Sequence, residues 1–366
     1  MTSRSLSVAV LGAAGTIAPA IIRDLAASDE IAAMTLLDLD GDRAAAAATE
    51  HGSAKARGAA VDARDHDALS TALAGADVLI NTASYRVNLD AMSACLSAGC
   101  HYLDLGGLYW VTREQLELDP EFRRAGLLAV LGIGSSPGKT NLMARRAVDQ
   151  LGVPARTIEV VAGGRDPAAP DDGRLRPPYA VQTLVDELTL RPVLLRGGEP
   201  VEIDALTPGG AVDFGDPIGV GETIYTLHSE LVTFGSSFGA SEVSFRLSLA
   251  PALLERLTAL ATATPDELAA AARQAASPST QTVSVHLVNA YAGDGTAVQV
   301  RAETSPHFGL GGSIVSTAAP IAAATRLMAR GLVTDTGALG PEACLDSAAM
   351  FAELQTRGCA FSTRAL

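Results

Sequence analysis

The chain has 366 residues, 48% of them hydrophobic, which is room for two domains and a sizeable core. Its formal net charge is −14 and its basic residues are scattered. That excludes a nucleic-acid binder, because phosphate contacts need clustered lysine and arginine. Apolar runs such as Leu127–Ile133 fall far short of a bilayer span, and the polar start Met1–Ser7 lacks the apolar stretch of a signal peptide. A cytoplasmic protein with no membrane partner is expected. Cys95, Cys100, Cys344 and Cys359 form no Cys-x-x-Cys pair, and only Cys100 has a neighbouring histidine, His101. They read as reduced thiols, with no metal site.

Up to residue 135 short apolar runs alternate with alanine-rich amphipathic stretches. Ser7–Leu11, Ala33–Leu37, Gly58–Val61, Asp77–Asn81, Tyr102–Leu105 and Leu127–Ile133 read as strands. Pro19–Ala27, Arg43–His51 and Leu89–Ala98 read as helices between them. The alternation predicts an α/β fold with a parallel, doubly wound sheet over residues 1–138. After Asn141 the pattern changes. A helix at Leu142–Leu151 leads into a strand at Thr157–Ala162 and a loop rich in Gly, Pro, Asp and Arg from Gly163 to Pro178. Val193–Leu195, Thr223–Leu227, Ser241–Leu249 and Gln281–Ala290 read as strands, and Ala180–Glu187 and Ala252–Ala276 as helices. Residues 139–312 are therefore expected to form a second α/β domain on a mixed or antiparallel sheet. The chain turns helical again from Ile314 through Met328, so residues 313–366 are expected to return to the first domain as helices.

The first strand ends at Gly12-Ala13-Ala14-Gly15-Thr16-Ile17-Ala18-Pro19, a G-x-x-G-x-x-A turn that opens a helix. Glycine lets backbone approach a diphosphate, and a helix N-terminus offers free amides and partial positive charge. Alone, such a turn is equally a plain strand-to-helix connection. Its context is more specific, because Asp38 ends the second strand 23 residues after Gly15, near the usual ~20 of the dinucleotide fingerprint. A carboxylate there accepts from ribose hydroxyls and repels a 2′-phosphate, so NAD is favoured over NADP; Arg43 keeps NADP open. Asp40 reads as the cap of the next helix. Cofactor contacts are expected from Gly12, Ala14, Gly15, Thr16, Ile17 and Asp38, from Asp62 after the third strand, and from Asn81-Thr82-Ala83-Ser84 after the fourth. For Asp62 a plain loop carboxylate is an equal reading.

The fingerprint with its acidic partner is one of four stretches that resemble the saccharopine dehydrogenase superfamily. The others are Tyr85-Arg86-Val87-Asn88-Leu89 through Ala98-Gly99-Cys100-His101-Tyr102-Leu103-Asp104-Leu105-Gly106-Gly107, Gly134-Ser135-Ser136-Pro137-Gly138 with Asn141, and Tyr225-Thr226-Leu227-His228-Ser229-Glu230. Within the superfamily the chain looks most like the L-lysine 6-dehydrogenase group. The resemblance implies a Rossmann domain with an inserted substrate and dimerisation domain, and NAD- or NADP-dependent chemistry on carbon–nitrogen bonds of amino acids. It departs at Ala14, where the fingerprint has its middle glycine, at Gly132-Ile133, and at Lys139, so the substrate need not be lysine. Gly138-Lys139-Thr140 is no P-loop, since the position five before Gly138 is Ile133 rather than glycine.

Amine oxidation removes a hydride from carbon, and the amine must first be neutral although its usual pKa is about 10.4. A base or desolvation is needed. His228 and Glu230, alternating on an expected strand, read either as a base with its orienting carboxylate or as a buried polar pair. Lys139 reads as a base, a carboxylate binder or a solvated helix-start lysine. Arg86, Asp104, Ser135, Tyr179 and Tyr225 are the candidate substrate contacts, with Arg176 near Tyr179; the alternative for Arg86 is a surface arginine, and Tyr225 reads as packing before chemistry. The reacting carbon is expected to dock between the nicotinamide and a wall of Ser135–Lys139 and His228–Glu230. Three functions fit: an amino acid or amine dehydrogenase, a reductive condensing enzyme of the saccharopine or carboxyspermidine type, and an inert NAD-binding scaffold or sensor. A homodimer through the second domain is expected from the resemblance and from the apolar sheet face to be covered.

Overall fold

A computed structural model describes residues 5–170 and 172–366. The chain divides into two compact units. One takes in the chain up to Lys139 together with Thr317–Glu353, and the other Thr140–Ser316 together with Leu354–Leu366.

The first unit opens with β1 (Leu6–Leu11), α1 (Ala18–Ala26), β2 (Ile31–Asp38), α2 (Gly41–His51), β3 (Ala56–Ala60), α3 (His66–Ala72) and β4 (Val78–Asn81). It continues through α4 (Asn88–Ala98), β5 (His101–Asp104), α5 (Leu108–Leu116), α6 (Asp119–Ala125) and β6 (Leu128–Val130). The second unit follows from α7 (Lys139–Leu151) through β7 (Ala155–Arg165), α8 (Val181–Thr189), β8 (Val193–Arg196), β9 (Glu199–Glu202), β10 (Pro208–Asp213), β11 (Val220–Tyr225), α9 (Glu230–Phe238) and β12 (Glu242–Ser248). Then come α10 (Pro251–Ala259), α11 (Pro265–Gln274), β13 (Val283–Ala292), β14 (Ala297–Thr304) and α12 (Gly312–Ala329). The chain ends with β15 (Gly337–Leu339), α13 (Pro341–Cys344), α14 (Ser347–Gln355) and β16 (Cys359–Ala365).

The first sheet has the order β15-β6-β5-β4-β1-β2-β3 with every pairing parallel. This is the doubly wound arrangement, and its strand order reverses between β1 and β4. Val8–Leu11 of β1 and all of β4 are buried, as central parallel strands covered on both faces must be. Ile21, Ile22 and Leu25 supply the buried stripe of α1. Asp40 caps α2 by accepting from the amides of Asp42 and Arg43, both at 3.1 Å. The second sheet runs β10-β11-β12-β7-β13-β14-β16, with β8 on β12 and β9 on β8. It is mixed: β12 lies parallel to β7 and the other pairings are antiparallel.

Three expectations need correction. The strand through Leu227 stops at Tyr225, and Glu230 starts a helix, so His228 and Glu230 share no strand. Leu231, Phe234 and Phe238 are buried at helical spacing, which sets that period. The helix over Ala252–Ala276 is interrupted, because Thr264 and Glu267 form a capping box that starts α11 at Pro265. The chain end is not all helical: β16 pairs with β14 from Val298↔Ala365 to Thr304↔Cys359, in the second sheet. Among the described residues no helix is long and apolar enough to cross a membrane.

Candidate active site

The dinucleotide fingerprint lies where the first sheet reverses its order. Gly12 has φ of 76°, and a β-carbon there would come within 2.6 Å of the Ala83 amide nitrogen, so only glycine fits against the chain leaving β4. Thr82 Oγ1 fastens the two loops by donating to the carbonyls of Leu11 at 2.8 Å and Gly12 at 3.1 Å. Thr16 is exposed and Ile17 buried at the start of α1. No side chain caps α1 and its first turn holds no acidic residue, so its amide end suits an external anion. Asp38 Oδ2 accepts from the Ala14 amide at 2.9 Å, while Arg43 donates to the Ala14 carbonyl at 2.8 Å. A carboxylate and a guanidinium thus flank one peptide of the loop. A glycine cradle, an uncapped helix and a ribose-side carboxylate together fit a nicotinamide dinucleotide. Asp62 is exposed and caps its own turn through the Arg64 amide at 3.0 Å; Ser84, also exposed, accepts from the Arg86 amide at 3.4 Å.

Two expected contacts turn out to be scaffold. Asn81 is buried, with Nδ2 donating to Asn88 at 2.9 Å and to the Tyr102 hydroxyl at 3.1 Å, while Oδ1 accepts from the Ala83 amide at 3.0 Å. Its side chain shapes the loop. Asp104 is also buried. Its Oδ2 accepts from Gln115 at 2.6 Å, Tyr102 at 3.0 Å and Asn88 at 3.1 Å, and its Oδ1 accepts from the amides of Gly132 at 2.7 Å and Gly106 at 2.9 Å. Burial lifts its carboxyl above the ordinary range against the pull of these donors. With five donors on two oxygens it knits the ends of β5 and β6 and has no capacity left for a substrate.

Ser135 Oγ accepts from Thr317 at 3.4 Å. Lys139 is buried and its amide donates to the Gly134 carbonyl at 2.9 Å, which excludes a solvated helix-start lysine. Arg86 is exposed, with its guanidinium 4.6 Å from the Tyr85 ring centroid. Arg176 is committed to Asp172 through two hydrogen bonds of 2.6 and 2.7 Å. Tyr225 is half-buried at the end of β11. Among the described residues no group of three or more His, Cys, Asp or Glu could hold a metal ion.

Within the second unit a polar cluster sits on the sheet. The His228 ring stacks on Phe245 of β12 with centroids 3.5 Å apart. Its Nδ1 lies 3.1 Å from Glu230 Oε2, and Glu230 Oε1 accepts from Thr140 Oγ1 at 2.8 Å. Its Nε2 lies 3.6 Å from Glu187 Oε2, too far for a hydrogen bond, and the same oxygen accepts from the Tyr179 hydroxyl at 2.5 Å. Glu187, His228 and Glu230 are each at most 4% exposed. His228 Nε2, Thr226 Oγ1 and Ser229 Oγ have no hydrogen-bond partner among the described residues. Burial works to discharge the His228 ring, but the carboxylates of Glu230 and Glu187 outweigh it and push the imidazole up to about 9. Burial, with the Glu187 charge behind it, holds the Tyr179 phenol well above its usual range, so Tyr179 stays a donor. At neutral pH the His228 ring therefore carries its proton, buried between Glu230 and Glu187.

Sequence reading pairs His228 with Glu230 but misses Glu187 and Thr140. Glu187 had a legible signal. It follows Leu184 by three positions in α8, so it falls on the apolar face that Leu184 and Leu188 bury. A carboxylate on such a face needs a partner.

A model of the saccharopine dehydrogenase NADP binding domain matches residues 8–130. Over 80 residues the chain is 38% identical to the carboxyaminopropylagmatine dehydrogenase of a Synechocystis species; the match covers 20% of this chain and 20% of that protein. Among solved structures, an apo histidine-tagged saccharopine dehydrogenase (L-Glu forming) from Saccharomyces cerevisiae superposes with a TM-score of 0.72 at 18% identity, over 99% of this chain and 100% of that one. Residues 8–130 therefore resemble the saccharopine dehydrogenase NADP-binding domain, and the chain as a whole shares the fold of saccharopine dehydrogenase.

Proposed function

We propose that the protein is an NAD(P)-dependent oxidoreductase acting on a carbon–nitrogen bond of an amino acid or related amine. The observation behind this reading is the charged His228, buried between Glu187 and Glu230, on a chain that also carries the dinucleotide fold. Bound on the first unit, the nicotinamide would supply or accept the hydride. The residues of the second unit handle the proton. In the reductive direction a carbinolamine loses water to give C=N, and the departing oxygen needs a proton, which His228 holds at neutral pH. In the oxidative direction the amine must lose a proton, and His228 accepts one only once pH approaches about 9.

The charged state of His228 therefore favours reductive condensation of an amine with a carbonyl compound over lysine 6-dehydrogenase-type oxidation. The curated relative, a carboxyaminopropylagmatine dehydrogenase by name, supports the broader reading of a dehydrogenase. As part of this reading the enzyme is a cytoplasmic homodimer, and light scattering decides the assembly.

The test supplies NADH or NADPH with a primary amine, L-lysine or agmatine, and a 2-oxo acid or an aldehyde, and follows nicotinamide absorbance. We expect cofactor oxidation only when amine and carbonyl compound are both present, slowing as pH rises through about 9. Turnover of alcohols or hydroxy acids alone would overturn the assignment.

A further inference from the structure

The His228 ring has two carboxylates around it, yet they are not equivalent. Glu230 is hydrogen-bonded to Nδ1 at 3.1 Å and anchored by Thr140 at 2.8 Å, so it orients the ring. Glu187 comes from a different element, α8, and stands 3.6 Å from Nε2 without a hydrogen bond. Its oxygen is held in that place by the Tyr179 hydroxyl at 2.5 Å. The Nε2 hydrogen therefore has a negative charge beside it and no acceptor bonded to it.

That arrangement has a physical sense. Two unit charges at this separation attract strongly in a low-dielectric surrounding, which keeps the ring charged. A direct, short hydrogen bond from Nε2 to Glu187 would also do so, but would occupy the proton that the ring has to give up. The Tyr179 hydroxyl occupies the carboxylate instead. The charged and titratable groups facing the ring are Glu230 on α9, Glu187 on α8 and, through Glu187, Tyr179; β12 contributes the uncharged Phe245.

We propose that Glu187, restrained by Tyr179, is a positioning residue that holds the transferable proton on His228 Nε2 without taking it. The inference rests on the reading that His228 handles the proton of the C–N reaction.

The two halves of the device give shifts of opposite sign. Glu187→Gln removes one of the two charges, so the His228 imidazole should titrate about one to three pH units lower. Tyr179→Phe removes a donor from the carboxylate and concentrates its charge, so His228 should titrate higher. Both are measured by NMR on the substrate-free protein, with the His228 resonance assigned by its loss in His228→Gln. If Glu187→Gln does not fold, Tyr179→Phe decides alone: an upward move supports the proposal, and no move or a downward one overturns it. A His228 midpoint unchanged in folded Glu187→Gln also overturns it. Kinetics supply the second arm. The pH at which reductive turnover falls should follow the NMR midpoint in each variant; turnover that ignores the midpoint overturns the role. Absence of turnover on every amine–carbonyl pair instead sinks the C–N reading, while the NMR shifts still decide the coupling.

Discussion

Replacing Arg326 with methionine should destabilise the first unit. The arginine, on α12, is 2% exposed. It donates to both oxygens of Asp24 on α1, at 3.1 and 3.4 Å, and to Glu353 on α14 at 3.0 Å. Arg330 extends the network, reaching Glu353 at 2.6 Å and Glu30 at 2.7 Å. Methionine keeps the volume of the stem but leaves two carboxylates, each 14% exposed, facing the vacated place. Removing one member of a buried ionic group costs about 3–5 kcal/mol. The protein has one tryptophan, Trp110 on α5 of the same unit, so its fluorescence reports that unit's unfolding in urea. With a denaturant slope of about 1–3 kcal/mol per molar, the midpoint should fall by roughly 1–5 M. Glu353 keeps Arg330 at 2.6 Å, so adding Asp24→Asn alone relieves the charge left facing the gap and should recover part of the loss. A loss below about 1 kcal/mol, or a compensated variant no better than Arg326→Met, would refute the account.

Gly12→Ala forces a positive φ on alanine, costing about 1–2 kcal/mol, and drives a methyl into the Ala83 backbone; calorimetry should show dinucleotide affinity lost at least about 100-fold, and an unchanged Kd sinks the placement. Asp38 should make NAD bind more tightly than NADP; if titration shows the reverse, Arg43, whose guanidinium already reaches Ala14, is the determinant and Arg43→Ala should restore the preference. Because folding raises His228 from 6.5 to about 9, its ring contributes stability that is complete below pH 6.5 and lost as pH climbs through about 9. Urea midpoints of the wild type should decline across that window while those of His228→Gln stay level; parallel curves would deny the ring its charge.

The parallel sheet was legible because its signals are local. Buried strands such as Val78–Asn81 are continuous apolar runs, and the Gly12–Ala18 turn sits between a strand and a helix of ordinary period. The second unit was less so. Thr223–Leu227 reads as a strand, whereas the strand is Val220–Tyr225, because the helical spacing of Leu231, Phe234 and Phe238 only shows further along. β16 was missed because Cys359–Ala365 is largely exposed and gains its strand character from pairing with β14, far away in sequence. At the site, the His228–Glu230 pair was visible as close neighbours. Glu187 lies more than forty positions earlier, and only the fold brings it to Nε2. Asp104 shows the opposite failure: its motif marked it as important, but its importance is to the loops it ties together.

The strands β15 and β16 are edge strands of two different sheets, and both follow α12 in the chain. Until the segment from Thr317 onward has been made, β6 and β14 stand at the edges in their place, open to wrong pairing. A deletion series from the C-terminus would first strip the edge of the second sheet and only later that of the first. For the same reason a synthetic peptide spanning residues 317–366 is a natural reagent for fragment complementation: added in trans, it offers a missing strand to both sheets at once.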